Sequence, residues 1–295
     1  MQVLRKFKPP FRCYGAERYV INPYTACSHG CIYCYGMRFW QRRKPEPKEY
    51  LVAQLKEEVK RKKKILPVEI STIVDPYIPM EKETETTRRI LELLLSKFPV
   101  ILVTKSDLVL RDVDLLKRGQ CIVEISLTTS NPQLERILEP GAPSFDKRVN
   151  AIGKLVENGI LVSPRIDPII PHVNDDPHDL RKIVQSLSEA GAKHITSSTM
   201  KADFLVLRAL ARAFPSEYTK ISSLYQDKRQ RIGVEYYLPE DTRINLMGML
   251  YEICNEFGIS FATCREGFTF FDTGMCDGLH LLQRSQKVCG PRSKT

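Results

Sequence analysis

Hydrophobic and polar positions along the middle of the chain follow two alternating patterns. Short apolar runs rich in Val and Ile predict buried strands, and longer segments with apolar residues about a turn apart predict amphipathic helices. The segment 179–190 shows the helical pattern clearly, with Leu180, Val184 and Leu187 on one face. The predicted strands are 19–21, 67–74, 100–104, 121–127, 160–166 and 194–197, and the predicted helices are 50–64, 83–97, 111–118, 145–158 and 179–190.

Strands that alternate with helices of this length form parallel βαβ units. The six strands predict an α/β fold, a partial (β/α)6 TIM-type barrel over residues 19–200, after a lead-in at 1–18. In such barrels the functional side chains gather at the C-terminal ends of the strands. Residues 201–295 break the alternation, and we expect them to form a C-terminal α+β extension.

Three cysteines with the spacing CxxxCxxC, Cys27, Cys31 and Cys34, follow the first predicted strand. Cysteine thiolates hold iron–sulfur clusters, and three of them leave one iron of a cubane open to another ligand. A structural zinc site usually has four ligands, and His29 lies too near its neighbours to complete one easily. A disulfide framework would need a secreted protein, and chance spacing is the last alternative. We therefore predict a [4Fe–4S] cluster here, with a possible zinc site as its rival.

The chain carries no sign of membrane insertion or secretion. No apolar run reaches the ~18 residues that a membrane span requires. The basic N-terminus is broken by Pro9 and Pro10 before an apolar signal core develops. Nine cysteines without a secretory signal indicate a reducing compartment, so we expect a cytoplasmic protein with no membrane partner.

Positive charge is the main compositional signal for a partner. The formal net charge is +10, which favours association with polyanions such as nucleic acid. Much of the excess lies in the runs 42–44 and 60–64, and a later segment, 228–237, mixes cations with aromatics. The alternative is a solvated surface, because cations are favourable at a helix C-terminus and charge-rich surfaces also occur in thermophiles. Both interpretations stay open at this point.

The cysteine loop, with Gly30 and Tyr33 inside it, resembles the signature of radical S-adenosylmethionine (SAM) enzymes. In that superfamily SAM binds the open iron through its amino and carboxylate groups, and an electron from the cluster cleaves it to a 5′-deoxyadenosyl radical. Further motifs resemble one branch, the spore photoproduct lyase-like proteins that are often described as DNA repair photolyases. These motifs are Asn22-Pro23-Tyr24, Asp75-Pro76-Tyr77-Ile78-Pro79-Met80-Glu81, Thr104-Lys105-Ser106, Arg111-Asp112 and Glu139-Pro140.

The resemblance implies a role for each matching residue. Cys27, Cys31 and Cys34 would bind the cluster, with a ferredoxin or flavodoxin as the reducing partner. Tyr33 would lie near the SAM adenine. The remaining cofactor-binding candidates are polar or aromatic residues at strand ends: Asp75 and Tyr77 for the amino group, Lys105 and Ser126 for the carboxylate and ribose, and Thr128 and Arg165 beside them. For each of these the alternative is a structural role in a turn or a helix cap.

One feature departs from the spore photoproduct lyases. Those enzymes use a cysteine beyond the cluster motif as a hydrogen donor, whereas this chain has no cysteine between Cys34 and Cys121. Cys121 begins a predicted strand, at the end away from a barrel-top site, and is expected to be a buried apolar residue. Reversal of a thymine dimer is therefore not expected. Tyr35 is the candidate catalytic residue for relaying a hydrogen atom, with a packed aromatic as the alternative.

Three late cysteines, Cys264, Cys276 and Cys289, lie in a glycine-dotted tail. They are candidate metal ligands for a second Fe–S cluster or a zinc ion, and the alternative is ordinary reduced thiols.

The leading hypothesis is thus a radical SAM enzyme, a lyase or modifying enzyme, that repairs or modifies a nucleic-acid base. One rival is radical modification of a protein or a small metabolite. Another is a non-catalytic metal-cluster protein that binds nucleic acid. SAM cleavage would separate the last from the other two.

Overall fold

The structure, a computed structural model, describes residues 2–7, 13, 15–40 and 43–282. Eleven strands are present in this part of the chain: β1 (Arg5–Lys6), β2 (Tyr19–Ile21), β3 (Val68–Ile70), β4 (Val100–Thr104), β5 (Cys121–Leu127), β6 (Leu161–Val162), β7 (Arg165–Ile169), β8 (His194–Thr199), β9 (Arg231–Ile232), β10 (Glu235–Tyr236) and β11 (Ser260–Thr263).

The α-helices of the same residues connect and cover these strands. They are α1 (Met37–Trp40), α2 (Glu49–Arg61), α3 (Glu81–Thr84), α4 (Thr86–Leu94), α5 (Val113–Leu116), α6 (Pro132–Leu138), α7 (Phe145–Glu157), α8 (Pro177–Glu189), α9 (Phe204–Ala213), α10 (Tyr218–Ser223) and α11 (Glu240–Glu256). No helix in the described ranges has both the length and the apolar character needed to cross a bilayer.

The main sheet has the order β1-β2-β3-β4-β5-β7-β8-β11, with β6 also paired to β5. All its pairs are parallel except β1 with β2. Every residue of β5 and of β8 is buried, as expected for strands covered on both faces. The predicted α/β fold with a TIM-like arrangement of βαβ units is therefore confirmed.

The predicted strand 160–166 is in fact two strands, β6 and β7. Pro164 lies between them, and a proline has no N–H to donate to a sheet ladder. The predicted helix 83–97 is likewise divided into α3 and α4, because Glu85 adopts a left-handed conformation with φ of 48°. Helix α6 was not predicted, although Asn131 caps it and Pro132 occupies its first turn.

The last strand of the main sheet comes from the segment that the sequence assigned to the C-terminal extension. Strand β11 pairs in parallel with β8, with Ser260 opposite His194. The following residues pack back under the barrel, where the Asp277 carboxylate accepts a 2.9 Å hydrogen bond from the Ala16 N–H. A Cβ at Gly278 would lie 2.9 Å from the Ser163 Cβ, so this part of the tail is closely docked.

Candidate active site

A cavity of about 820 Å³ lies at the C-terminal edge of the main sheet and extends into the barrel interior. Its walls come from the cysteine loop, from successive strand ends and from the C-terminal tail. Among the residues that line it are Cys27, Cys31, Cys34, Tyr33, Tyr35, Asp75, Lys105, Glu124, Ser126, Arg165, Asp167, Cys264 and Cys276.

The cysteine loop (residues 27–34) brings its three thiols to this cavity. Gly30 has φ of 68°, which glycine adopts without strain, and the Cys34 N–H donates to the Cys31 carbonyl at 3.2 Å. Burial raises the pKa of Cys31 well above its ordinary value, and the nearby Glu139, Cys34 and Cys27 raise it further. Crowded, buried thiols of this kind need a cationic partner to become thiolates, so the donor set fits a bound metal cluster.

In the described part of the chain, no group of three or more His, Cys, Asp or Glu side chains is arranged to hold a single metal ion. In an Fe–S cluster, by contrast, each cysteine thiolate binds a different iron.

His29 ties the cysteine loop to the end of β3. Its Nε2 atom lies 3.2 Å from Asp75 Oδ2, and its Nδ1 atom lies 3.0 Å from the Gly141 carbonyl oxygen. Burial alone would lower the pKa of His29, but the Asp75 carboxylate outweighs burial and raises it. The loop is therefore fixed at its centre by the contacts of His29 with Asp75 and Gly141.

Asp75 lines the cavity, but its carboxylate is already occupied. Oδ1 accepts hydrogen bonds from the Tyr77 N–H at 2.8 Å and the Thr104 hydroxyl at 2.7 Å. Oδ2 accepts from the Lys105 N–H at 2.7 Å and contacts His29. A carboxylate has about four acceptor sites, so little capacity is left for the predicted contact with the SAM amino group. In this structure Asp75 positions the loop and the end of β4.

Tyr77 and Thr128, both predicted to bind the cofactor, lie away from the cavity. The Tyr77 side chain is in the main hydrophobic core, and its hydroxyl donates to Asp112 Oδ2 at 2.8 Å. Thr128 is fully buried and is not part of the cavity wall. Thr128 directly follows β5, whereas Tyr77 lies seven residues beyond the end of β3. The direction of each side chain depends on packing that the sequence does not display.

Glu139 is the centre of a buried network beside the cysteine loop. Its carboxylate accepts a hydrogen bond from the Tyr33 hydroxyl and contacts Lys105 Nζ at 3.2 Å and Arg148 Nη2 at 2.7 Å. Burial alone would raise the pKa of Glu139, but Arg148 and Lys105 lower it to about 2. The sequence motif Glu139-Pro140 included this residue without assigning it a role.

A second charged group lies deeper, between β5 and β7. Arg165 Nη1 contacts Glu124 Oε2 at 3.0 Å, and its Nη2 contacts Asp167 Oδ2 at 2.9 Å. Glu124 is only 2% exposed, and burial raises its pKa to about 8 despite the guanidinium. Glu124 was not selected from the sequence, because within the predicted strand 121–127 it resembles a solvent-facing residue. Asp167, just beyond the predicted strand 160–166, was given no role.

Tyr35 lines the cavity with its ring, and its hydroxyl donates to the Thr72 carbonyl oxygen. The guanidinium carbons of Arg38 and Arg265 lie 5.9 Å and 5.8 Å from the ring centre. The residue is thus close to the predicted reaction space and firmly held.

Cys264 and Cys276 lie side by side in the same cavity. A hydrogen bond from the Cys276 thiol lowers the pKa of Cys264 against the effect of burial, and Arg165 lowers it further. Cys289, the third predicted ligand of a second cluster, lies outside the described residues. Cys264 and Cys276 therefore share the cavity of the first three cysteines.

The basic run at residues 60–64 lies at the opposite edge of the sheet. It follows the C-terminal end of α2 and precedes β3, whereas the cavity is at the strands' C-terminal ends. Lys60 contacts Glu57 at 2.9 Å, and Lys62 contacts Glu58 at 2.9 Å. Lys64 contacts Glu17 at 2.6 Å. These contacts favour the solvated-surface interpretation for this run. Of the run 42–44, residue 42 lies outside the described residues.

Residues 21–198, more than half of the chain, match the Radical SAM superfamily. The chain belongs to the radical SAM superfamily. Membership implies a [4Fe–4S] cluster and SAM, in agreement with the cysteine loop at the cavity. The family predicted from the sequence motifs is thereby confirmed.

Two curated relatives extend the comparison. The chain is 38% identical over 171 residues to an uncharacterized protein of Methanocaldococcus jannaschii, covering 56% of this chain and 65% of that protein. It is 24% identical over 267 residues to the radical SAM Nalpha-GlyT isomerase of Pseudomonas phage M6, covering 86% of this chain and 55% of the isomerase. The chain therefore spans less than two thirds of the length of either relative.

Among solved structures, the fold is similar to that of a spore photoproduct lyase double mutant with bound SAM and dinucleoside spore photoproduct. The TM-score is 0.67 at 18% identity, over 88% of this chain and 79% of the lyase. At this level of identity the likeness establishes a shared fold.

Proposed function

We propose that this protein cleaves SAM reductively at a [4Fe–4S] cluster and uses the radical to repair or modify a nucleic-acid base. The observation that carries the proposal is that Cys27, Cys31 and Cys34 meet the cations Lys105 and Arg165 at one cavity. When bound, the cluster supplies the electron for SAM cleavage. A ferredoxin or flavodoxin in the cytoplasm is the proposed source of that electron.

Lys105 is the proposed partner of the SAM carboxylate. Its ammonium has three N–H donors, and one contact with Glu139 leaves donors free for a ligand. The Tyr33 ring, 5.7 Å from Lys105 Nζ, forms the neighbouring wall and is the proposed contact of the adenine. Ser126 and Arg165 offer a hydroxyl and a guanidinium for the ribose, since both face the cavity. Tyr35 remains the proposed relay for a hydrogen atom.

His29 and Asp75 act as positioning residues in this proposal. Their 3.2 Å contact holds the centre of the cysteine loop against the end of β3, so that the three thiols keep their spacing when the cluster is absent. A preformed loop lowers the ordering cost of cluster binding.

Two observations support a nucleic-acid substrate. One relative bears the name radical SAM Nalpha-GlyT isomerase, and the similar solved structure, a spore photoproduct lyase, contains a bound dinucleoside. The rim of the cavity also carries exposed apolar side chains beside cations: Phe39 is 49% exposed, and the Arg38 guanidinium carbon lies 4.9 Å from its ring centre. Outside the cavity lining, Phe204 at the start of α9 is similarly paired with Arg208 at 5.7 Å. Aromatics and cations of this kind bind unstacked bases and their phosphates.

The chemical step is tested with anaerobically reconstituted protein. Reduced wild-type protein should convert SAM to 5′-deoxyadenosine and methionine, and Cys31→Ala should remove both cluster absorbance and cleavage. Cys121→Ala, which changes a buried thiol in β5, is the matched control and should retain both. Undiminished cleavage by Cys31→Ala would overturn the assignment of the cluster.

The substrate class is tested by mass spectrometry of nucleosides from digested DNA and RNA of cells with and without the gene. A nucleoside whose abundance depends on the gene supports the proposal. If nucleosides are unchanged and a peptide or metabolite differs instead, the nucleic-acid assignment is wrong and the rival substrate class takes its place.

A further inference from the structure

We propose that Cys264 and Cys276 form a redox-active dithiol inside the cavity, which closes to a disulfide by exchange with a small-molecule disulfide. Both cysteines line the cavity wall, and neighbouring residues of β8 hold both of them. They belong to neither the cysteine loop nor the proposed SAM contacts. The proposal stands independently of the proposed function.

The backbone brings the two cysteines together through adjacent residues of β8. The Cys264 N–H donates to the Ser197 carbonyl at 2.8 Å, directly after β11 ends. The Thr196 hydroxyl donates to the Cys276 carbonyl at 3.0 Å. Because both anchors are on the same strand, the 11 residues between the cysteines form a closed loop whose ends are held in place.

Both flanks of this loop are also fixed. Arg265 has φ of 61°, an uncommon conformation for a residue other than glycine, and it is held there by an ion pair with Glu235. On the other flank, Asp277 lies 3.8 Å from Arg18 Nη1 and accepts the Ala16 N–H. A disulfide requires the two backbones to be close, and these contacts hold both cysteines against the same strand.

Solvent exposure distinguishes this pair from the two cysteines that are buried in β5 and α11. Cys264 and Cys276 are partly exposed at the cavity wall, whereas Cys121 is 5% exposed and Cys254 is fully buried. Cations also face the pair: Arg165 Nη1 lies 3.5 Å from the Cys276 carbonyl oxygen, and Lys201 Nζ lies 3.4 Å from that of Cys264. Reactive cysteines are found in accessible, electropositive surroundings of this kind.

The exchange proceeds in two balanced steps. The Cys264 thiolate attacks one sulfur of a small disulfide RS–SR, which forms a Cys264–SR mixed disulfide and releases RS⁻. Cys276, losing its proton, then attacks Cys264 Sγ, which forms the Cys264–Cys276 bond and releases the second RS⁻. The cysteine pair loses two electrons and two protons, and the small disulfide is reduced to two thiols. A dithiol reductant reverses both steps.

The test uses the reconstituted holoprotein, with oxidised glutathione as the disulfide. After anaerobic exposure, free thiols are blocked with N-ethylmaleimide and the protein is digested with trypsin. Cleavage gives peptide 244–265, which contains Cys254 and Cys264, and peptide 266–284, which contains Cys276. We expect these peptides to be linked through Cys264 and Cys276, with Cys254 alkylated, and dithiothreitol to restore both thiols.

Variants assign the link to its residues. Cys276→Ser should lower the linked fraction by about tenfold or more and leave glutathione on Cys264, since the resolving thiol is gone. Cys254→Ala, the matched control on the same peptide, should keep the link. Iron analysis of the wild type should give about four irons per chain.

Other results would overturn the proposal. Full alkylation of Cys264 and Cys276 in oxidised wild-type protein, or linkage of either to a different cysteine, would mean that no dithiol couple exists. About eight irons per chain, with Cys264 and Cys276 unreactive, would instead support a second cluster. Loss of SAM cleavage in every sample would contradict the proposed function but leave the peptide result unaffected.

Discussion

Lys105 Nζ lies 3.2 Å from Glu139 Oε1, and this buried ion pair joins the end of β4 to the residues that follow α6. Both charges act on Cys31, the central cysteine of the loop: Glu139 raises its pKa and Lys105 lowers it. The carboxylate is also shared by Tyr33 and Arg148. Glu139 lies outside the cysteine motif, yet it contacts both Tyr33 within the loop and Lys105 beside it.

Glu139→Gln should destabilise the fold at neutral pH. Removing one partner of a buried ion pair typically costs about 3–5 kcal/mol. Because the pKa of Glu139 is lowered to about 2, its carboxylate stabilises the protein above pH 4.5 and loses that effect as the pH falls toward 2. Urea unfolding should show a gap between wild type and variant at pH 7 that narrows in acid.

Glu157→Gln is the control for that measurement, because Glu157 is exposed at the end of α7. It should change the free energy of unfolding by no more than ~0.5 kcal/mol. An equal loss in the two variants would mean that the Glu139 network contributes nothing specific.

Gly141→Ala should disturb the cysteine loop. An added Cβ would lie 2.7 Å from the Ser28 carbonyl oxygen and 2.9 Å from that of His29, and both are backbone atoms that cannot rotate away. The loop must therefore shift, and we expect SAM cleavage to fall about tenfold or more. Iron content and cleavage of the reconstituted variant provide the measurement.

Gly153→Ala is the matched control, since its Cβ would meet only the Ala190 Cβ at 4.0 Å inside α7. It should retain activity and gain about 0.5–1 kcal/mol of stability. Normal iron content in Gly141→Ala would contradict the tight contact between residue 141 and the loop.

Glu124→Gln should change how stability depends on pH. The pKa of Glu124 is raised from its ordinary 4.5 to about 8, so folding favours the protonated acid. The wild type should therefore lose stability as the pH rises from 4.5 to about 8, because the unfolded chain ionises over this range while the buried acid stays protonated. Glutamine has the same shape and cannot ionise.

Melting temperatures between pH 6 and pH 9 check this expectation. Over this range the melting temperature of the wild type should fall by several degrees relative to that of Glu124→Gln, since about 1 kcal/mol corresponds to ~2–4 °C for a protein of this size. If the melting temperatures of the two proteins changed in parallel with pH, Glu124 would already be ionised at pH 6.

Charge reversal at two ends of the barrel should separate a nucleic-acid surface from an ordinary one. Lys228 and Arg231 are exposed beside the β9–β10 hairpin, whose residues Ile232 and Val234 line the cavity. Changing both to Glu should flatten the slope of log K against log salt for single-stranded DNA by about 0.7 per lost phosphate contact.

The same change at Lys60 and Lys63 gives the control, because these residues are exposed at the opposite edge of the sheet. Their reversal should leave the slope unchanged. A flatter slope for this variant alone would return the nucleic-acid contact to the basic run.

Local sequence patterns determined several strands and helices of this protein and its superfamily. The bounds of β4 and β5 agree with the predicted strands, and Leu180, Val184 and Leu187 of α8 are buried as their spacing indicates. The CxxxCxxC spacing and its neighbouring motifs identified the superfamily. These features depend on residues within a few positions of each other, so periodicity and spacing display them directly.

Tertiary structure decided which distant strands pair and where individual side chains point, and local patterns do not contain this information. Strand pairing brought β11 onto β8 and thereby placed Cys264 beside Cys276 in the cavity of the cysteine loop. Packing placed the Tyr77 side chain in the hydrophobic core, and the Asp75 carboxylate accepts hydrogen bonds from backbone N–H groups. Each of these outcomes joins residues that are far apart in the chain or depends on where a side chain points. Such relationships are fixed only when the strands assemble and the buried polar groups find partners.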